Sequence, residues 1–317
     1  MSEMLKSAEN HKDWLEAIDL WNLVFRDTPR DYFERHLFFD PYVEYEHTRL
    51  LRVGDTLVSS VQITPRRMYV NGREVPFGGI ANVSTHPDFQ KRGYSSRVLK
   101  DAIRKMKEWS LPLSLLFTDI NAFYERVGFV TLERETFVAE IQGKPRSDIS
   151  VRIFDKHRDL EEVKKIYQIF SSRWNGPMIR ENVYWENQFF INNEDPNLFL
   201  VKTDASGKIQ AYVRASLGTD VAEIREFGAS NEEKNALDAL GQEVCIRGNR
   251  RKLKVTAPFG AWFETMPYFK VERKPHTGSM VSILSPEFFG FSEESQQFMI
   301  RKLFPREKTC YWTTDSF

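Results

Sequence analysis

The chain opens with apolar residues at helical spacing. Trp14, Ile18, Trp21 and Phe25 follow one another at intervals of three or four residues, which predicts an amphipathic helix with one buried stripe. The segment DYFERHLFF that follows predicts a second, shorter helix.

The pattern then changes to that of β-strands. Residues 49–85 predict a meander of three or four strands. Gly54-Asp55 and Asn71-Gly72 lie at the turns, and Asn-Gly is among the strongest hairpin signals in a sequence.

The helical period returns after Pro87. One apolar stripe is formed by Val98, Leu99, Ala102, Ile103, Met106 and Trp109. LPLSLLFTD then predicts a buried strand, NAFYERVG predicts a short helix that ends at Gly128, and FVTLERETFVAEI predicts one more strand. The Gly, Pro and charged residues of QGKPRSD, residues 142–148, predict a linker.

A similar order of elements begins again at Val151. The expected order of elements is a strand (VRIF), a helix, a hairpin, a strand (VAEIREFG), a helix, a strand (KLKVTAP) and a late strand (SMVSIL). We therefore predict two tandem units of the same type, residues 1–145 and residues 150–317.

Composition limits the function. The 317 residues include 45 basic and 45 acidic side chains, and the pI is near 7.0. This balance argues against a protein that coats nucleic acid or an anionic membrane, so any phosphate binding must be local. No apolar run reaches the roughly 20 residues of a membrane span, and MSEMLKSAENHKDW lacks the apolar core of a signal peptide.

The cysteine content bears on metal binding and on cellular location. Cys245 and Cys310 are the only cysteines, and the sequence contains no CxxC or Cys/His ligand spacing. We therefore expect no metal site, and we expect a reducing, cytoplasmic location.

The loop HPDFQKRGYSS has the composition of a phosphate site. It joins a strand to a helix that is expected to start near Tyr94 or Ser95, where free backbone N–H groups and the helix dipole attract anions. Gly93 permits a close approach of a ligand to the backbone, and Lys91 and Arg92 add positive charge. Taken alone, the loop is equally compatible with an ordinary capped helix.

A second motif, NAFYERVGF, lies about 30 residues downstream. With it, the segment from Phe77 to Phe129 resembles the GNAT superfamily of acyl-CoA-dependent N-acetyltransferases. The family's Q/R-x-x-G-x-G/A loop is matched by QKRGYS, in which Ser95 stands where Gly or Ala is usual. The resemblance implies an α/β (α+β) fold, with a mixed, mostly antiparallel sheet flanked by helices, and acetyl-CoA as co-substrate.

The resemblance also implies roles for individual residues. The strand end would bind the pantetheine arm and polarise the thioester carbonyl, and the loop would bind the pyrophosphate. The implied cofactor-binding residues are Val83, Ser84, Thr85, Lys91, Arg92, Gly93, Tyr94, Ser95, Ser96 and Asn121.

Tyr124 would protonate the departing CoA thiolate as the general acid. A phenol with a pKa near ~10 can donate a proton to a thiolate whose conjugate acid has a pKa near ~8.5. The alternative is a helix tyrosine that only packs against the sheet.

The general base is less evident. The sequence contains no His/Asp pair that indicates one, so a water chain and a carboxylate near the acceptor both stay open. Four acidic residues lie among aromatic ones in ERHLFFDPYVEYEH: Glu34, Asp40, Glu44 and Glu46. They would attract a cationic amine if they lined the cleft, but a solvated acidic face is the favoured interpretation.

The tandem arrangement resembles the enhanced-intracellular-survival type of acetyltransferase. Members of that group use the C-terminal carboxylate as the base, and here that group would belong to Phe317. The second unit has ASNEEKNALDAL where the first has its basic loop, so we predict that residues 150–317 bind no CoA.

The predicted activity is acetyl transfer to a primary amine of a small molecule or a protein. A non-catalytic acyl-CoA sensor on the same fold is the main alternative, and a transferase with a long acyl or aminoacyl donor is a third. We expect neither nucleic acid nor a membrane as a partner, and a homo-oligomer is compatible with the sequence.

Overall fold

The structure is a computed structural model that describes residues 2–317 and contains two seven-stranded sheets. The strands are β1 Glu3–Ser7, β2 Thr48–Val53, β3 Thr56–Val70, β4 Arg73–Thr85, β5 Leu113–Phe117, β6 Val130–Thr131, β7 Arg134–Ile141, β8 Val151–Ile153, β9 Phe199–Thr203, β10 Ile209–Leu217, β11 Ala222–Ala229, β12 Lys252–Thr256, β13 Phe269–His276 and β14 Ser279–Ile283. The α-helices are α1 His11–Val24, α2 Arg30–Phe38, α3 Tyr94–Glu108, α4 Asn121–Glu125, α5 Lys156–Ser171, α6 Asn182–Ile191, α7 Glu233–Gly248 and α8 Gln296–Leu303.

The first sheet has the strand order β1-β2-β3-β4-β5-β14-β6. Its pairs are antiparallel except for β4 and β5, which are parallel. Helices cover both faces because neighbouring residues of a strand point to opposite sides. In β2, Leu50 packs in the cluster of α1 and α2, whereas Leu51 packs in the cluster of α3. The helix predicted near Tyr94 starts at that residue.

The second sheet has the strand order β13-β7-β12-β11-β10-β9-β8. Its pairs are also antiparallel, apart from the short parallel contact of β11 with β12. Helices α5 and α7 pack on β10 and β11, and one hydrophobic cluster fills this half of the molecule. The predicted mixed, mostly antiparallel fold in two tandem units is confirmed.

The division between the sheets does not fall at the predicted linker. Strand β7, which was assigned to residues 1–145, lies in the second sheet between β13 and β12. Strand β14, which was assigned to residues 150–317, lies in the first sheet between β5 and β6. Each half of the chain therefore contributes a strand to the sheet of the other half. Alternating burial marks a strand but does not specify which strand it pairs with.

The segment FVTLERETFVAEI is also two strands instead of one. Its first part, β6, pairs with β14 in the first sheet, and its second part, β7, pairs with β12 and β13 in the second sheet. The prediction of a single strand was wrong here because the chain crosses between sheets within a continuous β-like pattern.

Four elements were not predicted: β1, α6, β13 and α8. Strands β1 (EMLKS) and β13 (FKVERKPH) are charged edge strands, and a proline within β13 further weakens the strand signal. Helix α6 (NVYWENQFFI) is rich in aromatic and Asn residues, which have weak helix propensity.

Two further properties concern the whole of residues 2–317. Within them, no helix has the length and apolar character that crossing a bilayer requires. In the same range, no three His, Cys, Asp or Glu side chains gather closely enough to hold a metal ion.

Candidate active site

The first sheet opens where β4 and β5 diverge. In the described chain the two strands pair only through residues 77–80 and 113–116, although β4 continues to Thr85. A bulge interrupts the pairing of β4 with β3 in the same place, and Asn82 there has a left-handed φ of 51°. A bulge re-aims a strand and leaves backbone groups free, and Asn tolerates the left-handed region. The C-terminal half of β4 therefore borders an open gap.

The start of α3 lies at one end of this gap. Gly93 is the residue before the helix, its φ is 81°, and no atom lies within 4 Å of a Cβ built on it. Lys91 is also left-handed, with φ 61°. The first turn of α3 carries no acidic residue, so its free N–H groups meet no negative side chain. This open, positive helix start fits a pyrophosphate.

A cavity of about 260 Å³ connects the helix start to the end of β4. The predicted site residues that line it are Val83, Ser84, Thr85, Lys91, Gly93, Tyr94, Ser95 and Tyr124. The structure thus brings eight of the predicted residues to one cavity, including Ser95 at the unusual position of the motif. Gln90 and Phe89 line it as well but were not singled out as binding residues.

Arg92 and Ser96 do not line this cavity. The Arg92 guanidinium lies 5.2 Å from the ring centroid of Phe89 and donates to the backbone oxygen of Asp88 at 3.2 Å. An exposed arginine beside the helix start still contributes to the local positive potential. Arg92 thus adds positive charge beside the helix start, and the contact of Ser96 with CoA stays a prediction.

Asn121 was predicted to anchor pantetheine, but its side chain is engaged elsewhere. Its amide nitrogen donates to Thr131 Oγ1 at 2.7 Å and to the backbone oxygen of Thr277 at 2.9 Å. These bonds attach α4 to β6 and to the loop before β14. Because both amide hydrogens are used, Asn121 fixes the helix that carries Tyr124, and its contact with pantetheine stays a prediction.

Tyr124 lies in α4 and is 7% exposed. Burial, and secondarily the negative charge of Asp119, raise the pKa of Tyr124 to about 12, against an opposing hydrogen bond with Thr118. The phenol therefore stays protonated throughout the physiological pH range. A protonated hydroxyl at this position can donate a proton.

A second cavity, of about 550 Å³, also borders Tyr124. The two cavities share Val83, Ile120 and Tyr124 in their walls. Asn82 and Asp119 also line the second cavity, and neither was predicted. An asparagine within a strand pattern is the signal that could have indicated the left-handed position.

The four acidic residues of α2 and of the segment before β2 do not line this second cavity. Asp40 is buried in an ion pair with Arg66, Glu34 pairs with Arg30 at 2.8 Å, and Glu44 closes a capping box with His47. The hypothesis that these residues attract an amine in the cleft therefore finds no support. The side-chain carboxylates at the cavity belong instead to Asp27 and Asp119.

Phe317 reaches the second cavity from the other half of the molecule. Its ring lies 5.6 Å from that of Phe117 and 6.4 Å from that of Phe77. A Cβ on Gly79 would lie 2.4 Å from Phe317 Cζ, so β4 needs a glycine for the ring to pack there. The structure thus places Phe317 and Tyr124 in the wall of the same cavity.

The segment before Phe317 is held by buried charges. Arg180 donates to Asp315 at 2.8 and 2.7 Å and to Thr314 Oγ1 at 2.9 Å, and it also pairs with Glu226. Burial alone would raise the pKa of Glu226, but Arg180 and Arg214 outweigh it and lower that pKa to about 2. This group of residues, the Arg180 cluster, fixes the segment from the second half of the chain.

Comparison with known proteins agrees with this geometry. Residues 6–132 match the family described as acetyltransferase (GNAT) domain. The chain therefore carries a GNAT acetyltransferase domain, the catalytic domain of a class of acyltransferases. None of the curated protein sequences compared with the chain matches it significantly.

Solved structures with the same fold cover both halves of the chain. A probable N-acyltransferase of unknown function from Enterococcus faecalis is 18% identical, with a TM-score of 0.70, over 91% of this chain and 74% of its own. Eis1 from Mycobacterium abscessus is 14% identical, with a TM-score of 0.65, over 89% and 74%. Yeast (Saccharomyces cerevisiae) N-myristoyltransferase with bound myristoyl-CoA is 13% identical, with a TM-score of 0.60, over 89% and 82%. At these identities the likeness shows the tandem fold.

Proposed function

We propose that this protein is an N-acetyltransferase that moves an acetyl group from acetyl-CoA to a primary amine by direct attack. The observation that carries the proposal is the position of Tyr124, which lies in the wall of both cavities. One cavity has the open, basic helix start that suits a pyrophosphate, and the other is free for an acceptor. The proposed proton donor would therefore lie where the two substrates meet.

The donor cavity has residues suited to CoA. The free N–H groups at the start of α3, with Lys91 beside them, would hold the pyrophosphate. The unpaired edge of β4 at Val83–Thr85 would bind the pantetheine arm as an added strand does. The thioester supplies an acyl carbon that is open to attack, and a backbone N–H of this edge would stabilise the developing oxyanion.

Tyr124 Oη would donate its proton to the departing thiolate sulfur. Burial keeps the phenol protonated before the transfer, and the phenolate that the transfer leaves would regain a proton from water before the next turnover. The distinction from a sensor lies here, because a protein that only binds acyl-CoA has no use for a proton donor at this position.

The attacking amine must be neutral, so a base or water must accept its proton. The carboxylate of Phe317 stays a prediction for this role, and a water chain is the alternative. Addition of two glycines after Phe317 leaves the ring in place and displaces the carboxylate. Turnover that falls at least ~10-fold, with unchanged binding of acetyl-CoA, supports the carboxylate, and unchanged turnover removes it.

Binding of the donor is tested first. Acetyl-CoA at a hundredfold excess over its dissociation constant is expected to stabilise the protein by about 2.7 kcal/mol, which a thermal-shift experiment detects. An Arg92→Glu variant is expected to lose part of this shift. Absence of any shift in the wild type contradicts both the enzyme and the sensor.

Turnover then separates enzyme from sensor. Release of free thiol from acetyl-CoA is followed with a panel of primary amines, and Tyr124→Phe is expected to slow release ~100-fold while leaving acetyl-CoA binding within about twofold. Tyr45→Phe is the matched control, since Tyr45 lies outside both cavities. Binding without thiol release from any amine favours the sensor, and release from myristoyl-CoA alone favours a long-chain transferase.

A further inference from the structure

The second cavity, which we call the acceptor cavity, has a distinctive wall. Rings form much of it: Phe25, Tyr32, Phe33, Phe117 and Phe317. Ile80, Ala81 and Pro29 add further apolar surface. A pocket with this many rings gains most from a ligand with its own flat apolar body, because aromatic pairs add to simple burial.

The charges on the acceptor cavity are of one sign. Asp27 and Asp119 line it and are exposed to solvent. Among the residues that the structure describes, no lysine, arginine or histidine lines it. Two carboxylates attract an ammonium group, whereas an anionic group would enter without a partner, which is costly.

The donor cavity differs in this respect. Lys91 lines it, and no acidic residue does among those described. The two cavities that meet at Tyr124 thus select opposite charges. An acceptor with a carboxylate or phosphate would be repelled by Asp27 and Asp119 and would compete for the basic end of the site.

From these observations, and resting on the function proposed above, we infer that the acceptor is an arylalkylamine: a primary amine on a short chain from an aromatic ring, without an anionic group. The ammonium is drawn in by Asp27 and Asp119, and the ring packs among the cavity's aromatic side chains. In the transfer, the amine nitrogen bonds to the acyl carbon as the carbon–sulfur bond breaks. The ammonium loses one proton to base or water before the attack, and the nitrogen loses a second one after it. The sulfur gains a proton from Tyr124, which regains one from water.

The experiment compares amines that differ in a single feature. Tyramine and tyrosine share ring and amine but differ in the carboxylate, as do tryptamine and tryptophan. We expect kcat/KM to be at least ~100-fold higher for the amine of each pair. Propylamine, which has no ring, is expected to be at least ~10-fold poorer than tyramine.

Variants connect the preference to the cavity. Asp27→Asn and Asp119→Asn are each expected to raise KM for tyramine by about 3- to 10-fold, with KM for acetyl-CoA unchanged. Asp55→Asn, in a turn between β2 and β3, is the control and is expected to change neither value. Asp119 also lies near Tyr124, so its substitution affects the proton donor as well. Asp27→Asn is therefore the more specific test of amine binding.

The experiment distinguishes failure of the arylalkylamine preference from failure of the proposed acetyltransferase function. If acetyl-CoA binds and is turned over, but tyrosine or propylamine is used as well as tyramine, the inference is wrong and the acetyltransferase stands. Preference for spermidine or an aminosugar over tyramine also overturns it. If thiol is released with none of these amines and none of a wider panel, the proposed function itself fails.

Discussion

Each of the two sheets contains a gap between two parallel strands, and only the gap in the first sheet is open. In each sheet, a pair of parallel neighbours separates toward the C-terminal ends of the strands. Strands β4 and β5 diverge after Ile80, and β11 and β12 pair only at residues 222–223 and 253–254 of the described chain. In the first sheet the resulting gap borders two cavities.

In the second sheet, aromatic side chains fill the corresponding gap. Phe259 follows β12, is fully buried, and lies 6.2 Å from Phe227 of β11 and 5.1 Å from Trp312 in a stack. The short helix at residues 313–315 contacts β11, and the Arg180 cluster secures it there. A segment of the chain's own C-terminal region thus packs beside the gap of the second sheet.

The helix that follows each gap differs too. Helix α3 starts with a left-handed glycine and carries no acid in its first turn, whereas α7 starts after Glu232 and carries Glu233. These differences fit the proposal that the first unit binds CoA and that the second unit supports it. Phe317, from the second half of the chain, lies in the wall of the acceptor cavity of the first half. The segment that packs at the gap of the second sheet therefore also contributes to the cavity at the gap of the first.

The largest effect is expected where the second gap is secured. Arg180→Met leaves Asp315 and Glu226 without their shared partner, and breaking a buried pair in this way costs about 3–5 kcal/mol of unfolding free energy. Chemical denaturation measures this loss. Arg273→Met removes an exposed pair with Glu264 and is expected to change stability far less. Equal effects in the two variants would contradict the supporting role.

The next effect concerns the open gap. Gly93→Asp adds a negative charge and a side chain to a left-handed residue at the helix start, and we expect acetyl-CoA affinity to fall ~100-fold or more. Isothermal titration calorimetry measures it. Gly72→Asp is the matched control, since Gly72 is also left-handed, with φ 73°, and has open space around it. Equal loss in both variants would attribute the effect to strain and not to the site.

A smaller effect is expected in the pH dependence of the chemical step. With the pKa of Tyr124 at about 12, the general acid stays protonated as the pH rises from 8.5 to 10.5, and single-turnover rates should not decline. An ordinary tyrosine, with a pKa near ~10, would be only about a quarter protonated at pH 10.5. A decline with a midpoint near pH 10 would show that the phenol is not buried as described, or is not the acid.

The last pair of substitutions, at the start of α7, is expected to leave the acetyl-CoA stoichiometry unchanged. Glu232→Gln with Glu233→Gln removes the negative charges at the start of α7, but the aromatic filling of the gap remains. We therefore expect calorimetry to give one acetyl-CoA per chain, as in the wild type. A second equivalent would show that charge alone, and not filling, excludes CoA from the second unit.

Much of the candidate site could be predicted because its signals are local. A glycine, adjacent bases and a helix start are neighbours in QKRGYS, and NAFYERVG carries the tyrosine on a predicted short helix. Asp27, Asn82 and Asp119 could not be predicted in the same way. They are single residues far apart in the chain, and the folded sheet alone brings them to one cavity. The contacts of Ser96 and Asn121 with CoA stay predictions, because local position in the sequence does not reveal where a side chain points.

By itself, the sequence determined the fold class, the tandem repetition, the phosphate-type loop and the candidate proton donor, since each depends on spacing within a few turns or strands. Only the tertiary structure decided the exchange of β7 and β14 between the sheets, because strand pairing is a long-range choice that no local pattern encodes. It also decided that one gap stays open and the other is filled. That difference depends on side chains such as Trp312 and Arg180, whose partners lie far from them in the sequence.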